Sequence, residues 1–357
     1  MSIIHQFITI NEHQRIGEII LDNPKSLNAQ TYDMVKTTSE LLSTWADDAS
    51  VVAVLMRGAG QKAFCAGGDI RGLYHAYNSE IFPNPEPLKF FQVEYGLCKQ
   101  INSYAKPIIV WASGIVMGGG MGLATPCSHR IVSETTMMAM PEVGIGLFPD
   151  AGGSYFLKQM PKRLGLFLGL TGARFNGADA IALGVADVMM ASDDYGRLVD
   201  ALQSATWADD ASNHQMLDDL LDTLHRTDLL DDGWLLPHQA VANELVSVDS
   251  LLAFDKKVQR YMTQDDCDNY IKTALTNYQK GCPTSAGLTW QIYHQVDNKS
   301  FDEVMDMELI VALYCCHFGE FAEGVRALLI DKDKNPKWHY TVDSLPQAHL
   351  DRHFVAW

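Results

Sequence analysis

Three observations predict an α/β fold with parallel strands and crossover helices. The run VVAVLMR (51–57) is almost wholly apolar, without the alternation of a half-exposed strand, so it belongs to a strand buried on both faces. Glycine clusters follow two such runs: FCAGGDI (64–70) after the first, and MGGGMG (117–122) after PIIVWA (107–112). The order strand, strand, helix then repeats to about residue 192, as a sheet of parallel strands joined by helices requires. With 357 residues, 47% of them hydrophobic, the chain can bury a large core in one large or two modest domains.

Taken in order, residues 4–10 and 15–21 alternate as two strands joined by a polar turn. From Asn28 to about Trp45, Tyr32, Met34, Val35, Leu41, Leu42 and Trp45 recur at helical spacing. Strand 51–57 and a loop over 58–69 come next, and the proline-rich stretch 77–87 reads as surface loop. Residues 88–104 read as a helix, 107–112 as a strand, and 118–126 as a helix opened by glycines. HRIVSE (129–134), MMAM (137–140) and VADVMM (185–190) read as short strands. Beyond residue 193 the texture becomes acidic and helical in period to about 280, and 284–330 holds two or three further helices.

Composition excludes several classes of function. A net charge of -17 argues against a nucleic-acid surface, though a local basic pocket for an anionic ligand remains compatible with it. The seven cysteines are scattered, with no CxxC pair, and read as free thiols in a reducing compartment. Zinc spacing and HExxH are absent, so no metal site is expected. The first residues carry neither the basic and apolar regions of a signal peptide nor the Arg-rich character of a transit peptide, and no apolar run approaches ~20 residues. A cytoplasmic protein without membrane spans is the expectation.

The glycine clusters sit where buried strands end and backbone N–H groups leave the ladder, so a ligand can approach them closely. Neither matches GxGxxG or GxxxxGK[ST], and GxSxG is absent. Two convergent N–H groups then suit an oxyanion hole; tight turns alone are the other reading. MMAMPEVGIGLFPDAGGSYFL (137–157) places Glu142 and Asp150 in apolar surroundings. Loss of hydration there raises a carboxyl's pKa, which suits a general base or nucleophile. The competing readings are a surface-loop acid and, for Asp150, the N-cap of a following helix. Cys65 reads as a small buried thiol, His129 as structural, and the methionines of 137–140 and the pair Cys315–Cys316 as packing.

In order and spacing, FCAGGDI, SGIVMGGGMGLA and AMPEVGIGLFPDAGGSYFL resemble the crotonase (enoyl-CoA hydratase/isomerase) superfamily, as does NPKSLNA (23–29). The likeness is strong over residues 5–192. EGVRALLIDKDKNPKW (323–338), Phe148-Pro149-Asp150, Glu94-Tyr95, CPTS (282–285) and SFDEVMDMEL resemble one branch, the 3-hydroxyisobutyryl-CoA hydrolases. The resemblance implies a ββα superhelical (spiral) core over 1–192 and a mainly helical region over 193–357 that completes a CoA site. It implies that the N–H groups of Gly68 and Gly119 hold a thioester carbonyl oxygen. Lys25, Ala66 and the loop around Lys62 fall where the family holds the CoA adenine and phosphates, with Lys332 and Lys334 as further candidates; each exposed lysine is equally compatible with simple solvation.

Hydratases of this family use two glutamates. One corresponds to Glu142; the other lies two residues beyond the triple glycine, where this chain has Gly122. Asp150 stands where hydratases have glycine. The resemblance therefore implies thioester hydrolysis in valine breakdown, with Glu142 as nucleophile or as base toward water. Asp150 would position water or bind the substrate hydroxyl, and Glu94 would bind polar substrate groups or hold one of these acids. No cofactor is implied beyond the coenzyme A of the substrate, and a homo-oligomer is compatible. The alternatives are a hydratase or isomerase, which Gly122 disfavours, and a non-catalytic CoA- or RNA-binding scaffold, which the retained Glu142 and the acidic charge disfavour.

Overall fold

The computed structural model describes residues 2–230, 233–264 and 266–356. The chain divides into two compact units, each assembled from separated segments: 1–68, 96–138 and 175–233 in one, 69–95, 139–174 and 234–357 in the other.

The first unit holds two sheets. Its strands are β1 (Ser2–Thr9), β2 (Arg15–Asp22), β3 (Val51–Gly58), β4 (Ala63–Cys65), β5 (Ile108–Ala112), β6 (Ile115–Met117), β7 (His129–Ser133), β8 (Met137–Ala139), β9 (Phe175–Asn176) and β10 (Val188–Met190), of which β8 ends one residue past the unit's boundary. One sheet has the order β1-β2-β3-β5-β7-β10, the other β4-β6-β8-β9. The β1–β2 pair is antiparallel, and β2, β3, β5, β7 and β10 run parallel. Each repeat of the chain thus places one strand in the long sheet and the next in the short one. This is the physical content of the strand, strand, helix rhythm, and it agrees with the predicted spiral.

β3 and β5 are buried along nearly their whole length, as their unbroken apolar runs require. One layer over the long sheet comes from the helices Tyr195–Ser204 and Asp210–Leu224, whose Leu198, Leu202, Leu217 and Leu221 join Ile16, Leu55, Ile109 and Ile131 in a continuous core. The helix Tyr32–Asp47 begins at Thr31, whose side chain accepts from the Met34 N–H, so Asn28 lies in the preceding loop and not in the helix. The loop expected over 58–69 contains β4. A three-residue strand carries too few positions for alternation to be read in sequence.

Glu18 is a polar group inside this unit, 1% exposed on β2. Its carboxylate accepts from Arg57 Nε at 2.6 Å, from the Tyr195 hydroxyl and from Gln6 Nε2. Burial alone would raise its pKa, but these donors together pull it below the ordinary glutamate value. A lowered folded-state pKa means stability that is present above the unfolded value and lost as pH falls through the folded one. Glu18→Ala should therefore cost about 3 kcal/mol at pH 7, because it leaves Arg57 and Tyr195 unpaired, and less at pH 4. Denaturant melts at the two pH values test this; an equal loss at both would refute it.

The second unit is helical. Residues 153–182, where the sequence offers only a helix after Asp150 as an alternative reading, form the helices Gly153–Gln159 and Leu164–Thr171 in this unit and Gly177–Ala182 in the first. Every residue of Leu164–Thr171 is buried. It packs among the helices Gly153–Gln159, Gln239–Val246, Asn269–Lys280 and Pro283–Gln295. A helix buried all round has no polar stripe, so it leaves no 3.6-residue period to read. The helices expected over 284–330 are Pro283–Gln295, Phe301–Phe318 and Glu320–Val325, the last continuing into a π-helical turn, Arg326–Ile330.

Candidate active site

In the first unit the two glycine clusters meet. β4 and β6 run side by side in parallel, so the chain leaves both strands at the same end. A side-chain carbon on Gly120 would lie 2.1 Å from the Cys65 carbonyl oxygen, and one on Gly67 would lie 3.5 Å from the Gly119 nitrogen. Gly118 has φ +52 and ψ -127, a conformation that side chains disfavour. Only glycine allows this approach. Gln30 ties the clusters together: its N–H donates to the Gly67 carbonyl at 2.8 Å, and its Nε2 donates to the Gly119 carbonyl at 3.1 Å.

Gly119 is the first residue of the helix Gly119–Ala124, so its N–H has no acceptor within the helix. Among the described residues, neither it nor the Gly68 N–H reaches another acceptor. Both glycines are half-buried. Two free amides at adjoining strand ends can polarise a carbonyl oxygen and hold the charge that develops when it is attacked. Gly122 is buried two residues beyond Gly120 and brings no acid. Cys65 is fully buried, as a packing thiol should be.

The candidate CoA residues of this unit also lie on one connected loop system. Lys25 is exposed in the short 3-10 turn Pro24–Ser26. Asn28 Nδ2 donates to the carbonyls of Ala59 and Ala63 at 3.0 and 2.8 Å, and the Ala66 N–H donates to the Leu27 carbonyl at 3.0 Å. The NPKSLNA motif is thus stapled to the loop that carries Lys62 and Ala66. Lys332 and Lys334 belong to the second unit. Both are exposed, with φ +59 and +53, on a loop gripped by Arg326, which bonds Asp331 and Asp333 at 2.6 and 2.8 Å.

The second unit gathers the acids. Glu94 and Tyr95 come from the helix Pro85–Asn102, Glu142 from the 3-10 turn Glu142–Ile145, Asp150 from the loop that follows, and Glu308 from the helix Phe301–Phe318. All are buried: Glu94 3% exposed, Tyr95 2%, Glu142 5%, Asp150 5% and Glu308 0%. Burial, then the charge of Asp150, pushes Glu142 and Glu94 well above the usual carboxylate range. Asp150 is raised by burial to about 6, with the Tyr95 hydrogen bond pulling the other way. Glu142 Oε2 is buried without a hydrogen-bond partner. An uncompensated carboxylate oxygen costs folding energy, and a group that must later bond to a reactant fits that cost.

Asp150 is not a helix cap. Gly152 occupies the N-cap position of the helix Gly153–Gln159, and the Asp150 side chain instead accepts from the Tyr95 hydroxyl. The helix start is satisfied by Glu308, whose two carboxylate oxygens accept from the N–H groups of Gly152 at 2.7 Å and Ser154 at 3.0 Å. Burial raises Glu308 to about 8, against the downward pull of those amides. Glu308→Ala should cost about 2–4 kcal/mol by stranding two buried N–H groups, and Glu308→Gln, which keeps one acceptor oxygen, markedly less. Thermal melts of both variants check the order; equal losses would contradict it.

In sequence, Tyr95 stands only beside Glu94 in the resemblance, with no role of its own, and Glu308 only within SFDEVMDMEL. The available signal for Glu308 was the one that marked Glu142, an acid opening an apolar run, here ELIVALYCC. Among the described residues, no group of His, Cys, Asp and Glu is arranged to hold a metal ion.

A family model described as enoyl-CoA hydratase/isomerase matches residues 16–354. The chain is 36% identical to the mitochondrial 3-hydroxyisobutyryl-CoA hydrolase of Danio rerio over 96% of its own length and 87% of that protein. It is 33% identical to the protein of the same name from Homo sapiens, over 95% and 86%. Among solved structures it is similar to an enoyl-CoA hydratase from Rhodobacter sphaeroides, with TM-score 0.85, 29% identity and coverage of 99% of this chain and 97% of the other. A carnitinyl-CoA dehydratase from Mycobacterium thermoresistibile gives TM-score 0.85 at 30% identity, with 99% and 96% covered.

Proposed function

The chain belongs to the enoyl-CoA hydratase/isomerase family, and from that premise we propose that it is an acyl-CoA thioester hydrolase cleaving 3-hydroxyisobutyryl-CoA to 3-hydroxyisobutyrate and CoA. The curated relatives similar over most of the chain carry that name. The observation that carries the reading is the placement of acids: Glu142 and Asp150 are buried together in one unit, and the helix after the second glycine cluster carries Gly122 and no acid.

Hydration must deliver water to one carbon and a proton to its neighbour, and the family's hydratases do this with two glutamates. Hydrolysis asks less. In the proposed mechanism the thioester carbonyl oxygen sits on the N–H groups of Gly68 and Gly119. Glu142 either attacks the carbonyl carbon, giving a mixed anhydride that water then cleaves, or takes a proton from an attacking water. In both routes the carbon–sulfur bond breaks from a tetrahedral oxyanion and the electron pair leaves on sulfur. A thiolate is a good leaving group, so strong acid catalysis at sulfur is not required. Asp150 positions the water or accepts from the substrate 3-hydroxyl, and Glu94 lies in the same cluster to hold polar substrate groups. Lys25, Lys62, Ala66, Lys332 and Lys334 are proposed contacts for the CoA adenine and phosphates.

Valine breakdown is the pathway this substrate implies. The scattered cysteines, without a CxxC pair, are the sequence basis for expecting a reducing compartment. A cytoplasmic location remains our proposal, and fractionation of the source cells tests it against the mitochondrial location in the relatives' names. The function itself is tested by free-thiol release over a small panel of acyl-CoA thioesters. Fast release from the 3-hydroxyisobutyryl thioester supports the assignment. Hydration of crotonyl-CoA without thiol release would replace it with the hydratase reading, the activity named for the similar Rhodobacter sphaeroides structure.

A further inference from the structure

Asp150 lies among groups that are all neutral or negative. Tyr95 and Glu94 face it from the helix Pro85–Asn102, Glu142 from the 3-10 turn, and Glu308, Cys315 and Cys316 from the helix Phe301–Phe318. Among the described residues, no lysine, arginine or histidine forms an ion pair with it. A carboxyl this deeply buried, with no cation beside it, takes up a proton unless something stabilises its charge. The hydroxyl of Tyr95 can do so. It is 2% exposed and donates to Asp150 Oδ2 at 2.5 Å, from a ring packed on Phe91 with centroids 5.5 Å apart. Hydrogen bonds to an ionised acceptor are among the strong ones.

We propose that Tyr95 is a positioning residue for this reaction, whose hydroxyl holds Asp150 ionised and in one orientation within the acid cluster. The inference rests on the hydrolase reading and on the roles given there to Glu142 and Asp150. Tyr95 stays a donor throughout the working range, because burial first, and then the charge of Asp150, pushes its own ionisation well above that of free tyrosine. Asp150 keeps its charge and a fixed direction, which lets it orient water or a substrate hydroxyl. Glu142 is electrostatically tied to Asp150, so the cluster releases its protons in steps that belong to the set. Removing the donor destabilises every state in which Asp150 is charged, and so makes proton release harder.

Tyr95→Phe tests this with little change of shape. The acid limb of the pH profile of kcat/KM should move up by about one to two pH units, with activity recovering at high pH. The carbon-13 titration of the Asp150 carboxyl, followed without substrate, should move the same way. A merely structural role for Tyr95 would lower stability or rate without moving either titration. Movement of both supports the proposal. No movement of the carboxyl overturns it, and so does movement of the carboxyl without the limb, which would mean that the reaction does not use this charge. If Asp150→Asn leaves turnover unchanged, or the wild-type protein releases no thiol from any acyl-CoA, the functional reading fails instead; the carbon-13 titration still decides whether Tyr95 governs Asp150.

Discussion

Glu142→Gln should lower turnover of the 3-hydroxyisobutyryl thioester at least ~10³-fold and leave affinity for CoA intact. The amide has the shape of the carboxyl but neither its nucleophilicity nor its basicity, and the CoA contacts are assigned to other residues. The same substitution carries a second expectation of opposite sign. Glu142 is held well above the ordinary glutamate range, first by burial and then by Asp150. A carboxyl raised in the folded state contributes stability below its unfolded value, near ~4.3, and that contribution is lost as pH rises through the folded one. At pH 8 the native protein therefore bears a cost that the amide lacks, either of a buried charge or of keeping the carboxyl protonated. The variant should melt at or above the parent temperature at pH 8, and the difference should shrink toward pH 4. Stopped-time thiol assays and melts at the two pH values measure both effects. Near-normal turnover would remove Glu142 from the mechanism, and a large loss of stability at pH 8 would contradict the cost assigned to its burial.

Thiol release from 3-hydroxyisobutyryl-CoA should exceed that from isobutyryl-CoA by as much as ~10⁴-fold. The two substrates differ by one hydroxyl. A buried carboxylate oxygen prepared to accept from that hydroxyl loses this donor when the analogue binds, and an unmet buried acceptor costs far more than a missing methylene. Asp150 and Glu94 are the acids placed for this role, so Asp150→Asn should shrink the preference as well as the rate. Crotonyl-CoA absorbance followed in parallel separates the competing chemistry. Gly122 supplies no second acid, so hydration should be slow. Equal release from both thioesters would sink the specificity claim while leaving hydrolysis in place; rapid loss of crotonyl-CoA absorbance would sink the hydrolase claim itself.

Much of this protein was legible before folding. The unbroken apolar runs at 51–57 and 107–112 identified doubly buried strands, because burial on both faces erases alternation wherever it occurs. The glycines after them identified places of close backbone approach, which the Gly120–Cys65 contact bears out. Glu142 and Asp150 stood out as acids in apolar sequence, and both are buried. Elements without a local period escaped notice. In the short sheet MMAM marked β8, but β4, β6 and β9 are too brief to alternate, and Leu164–Thr171 is buried on every side.

What the sequence by itself determined was the kind of chemistry available: free amides where strands end, and carboxyls stripped of water. What only the tertiary structure decided was the company those carboxyls keep. Tyr95, Asp150 and Glu308 lie far apart along the chain, and no local pattern predicts that the first donates to the second or that the third satisfies the helix start just after Asp150. Periodicity and turn chemistry are properties of neighbours in sequence. The ionisation of a buried acid depends on which charges and donors lie within a few ångströms in space, and packing sets that distance.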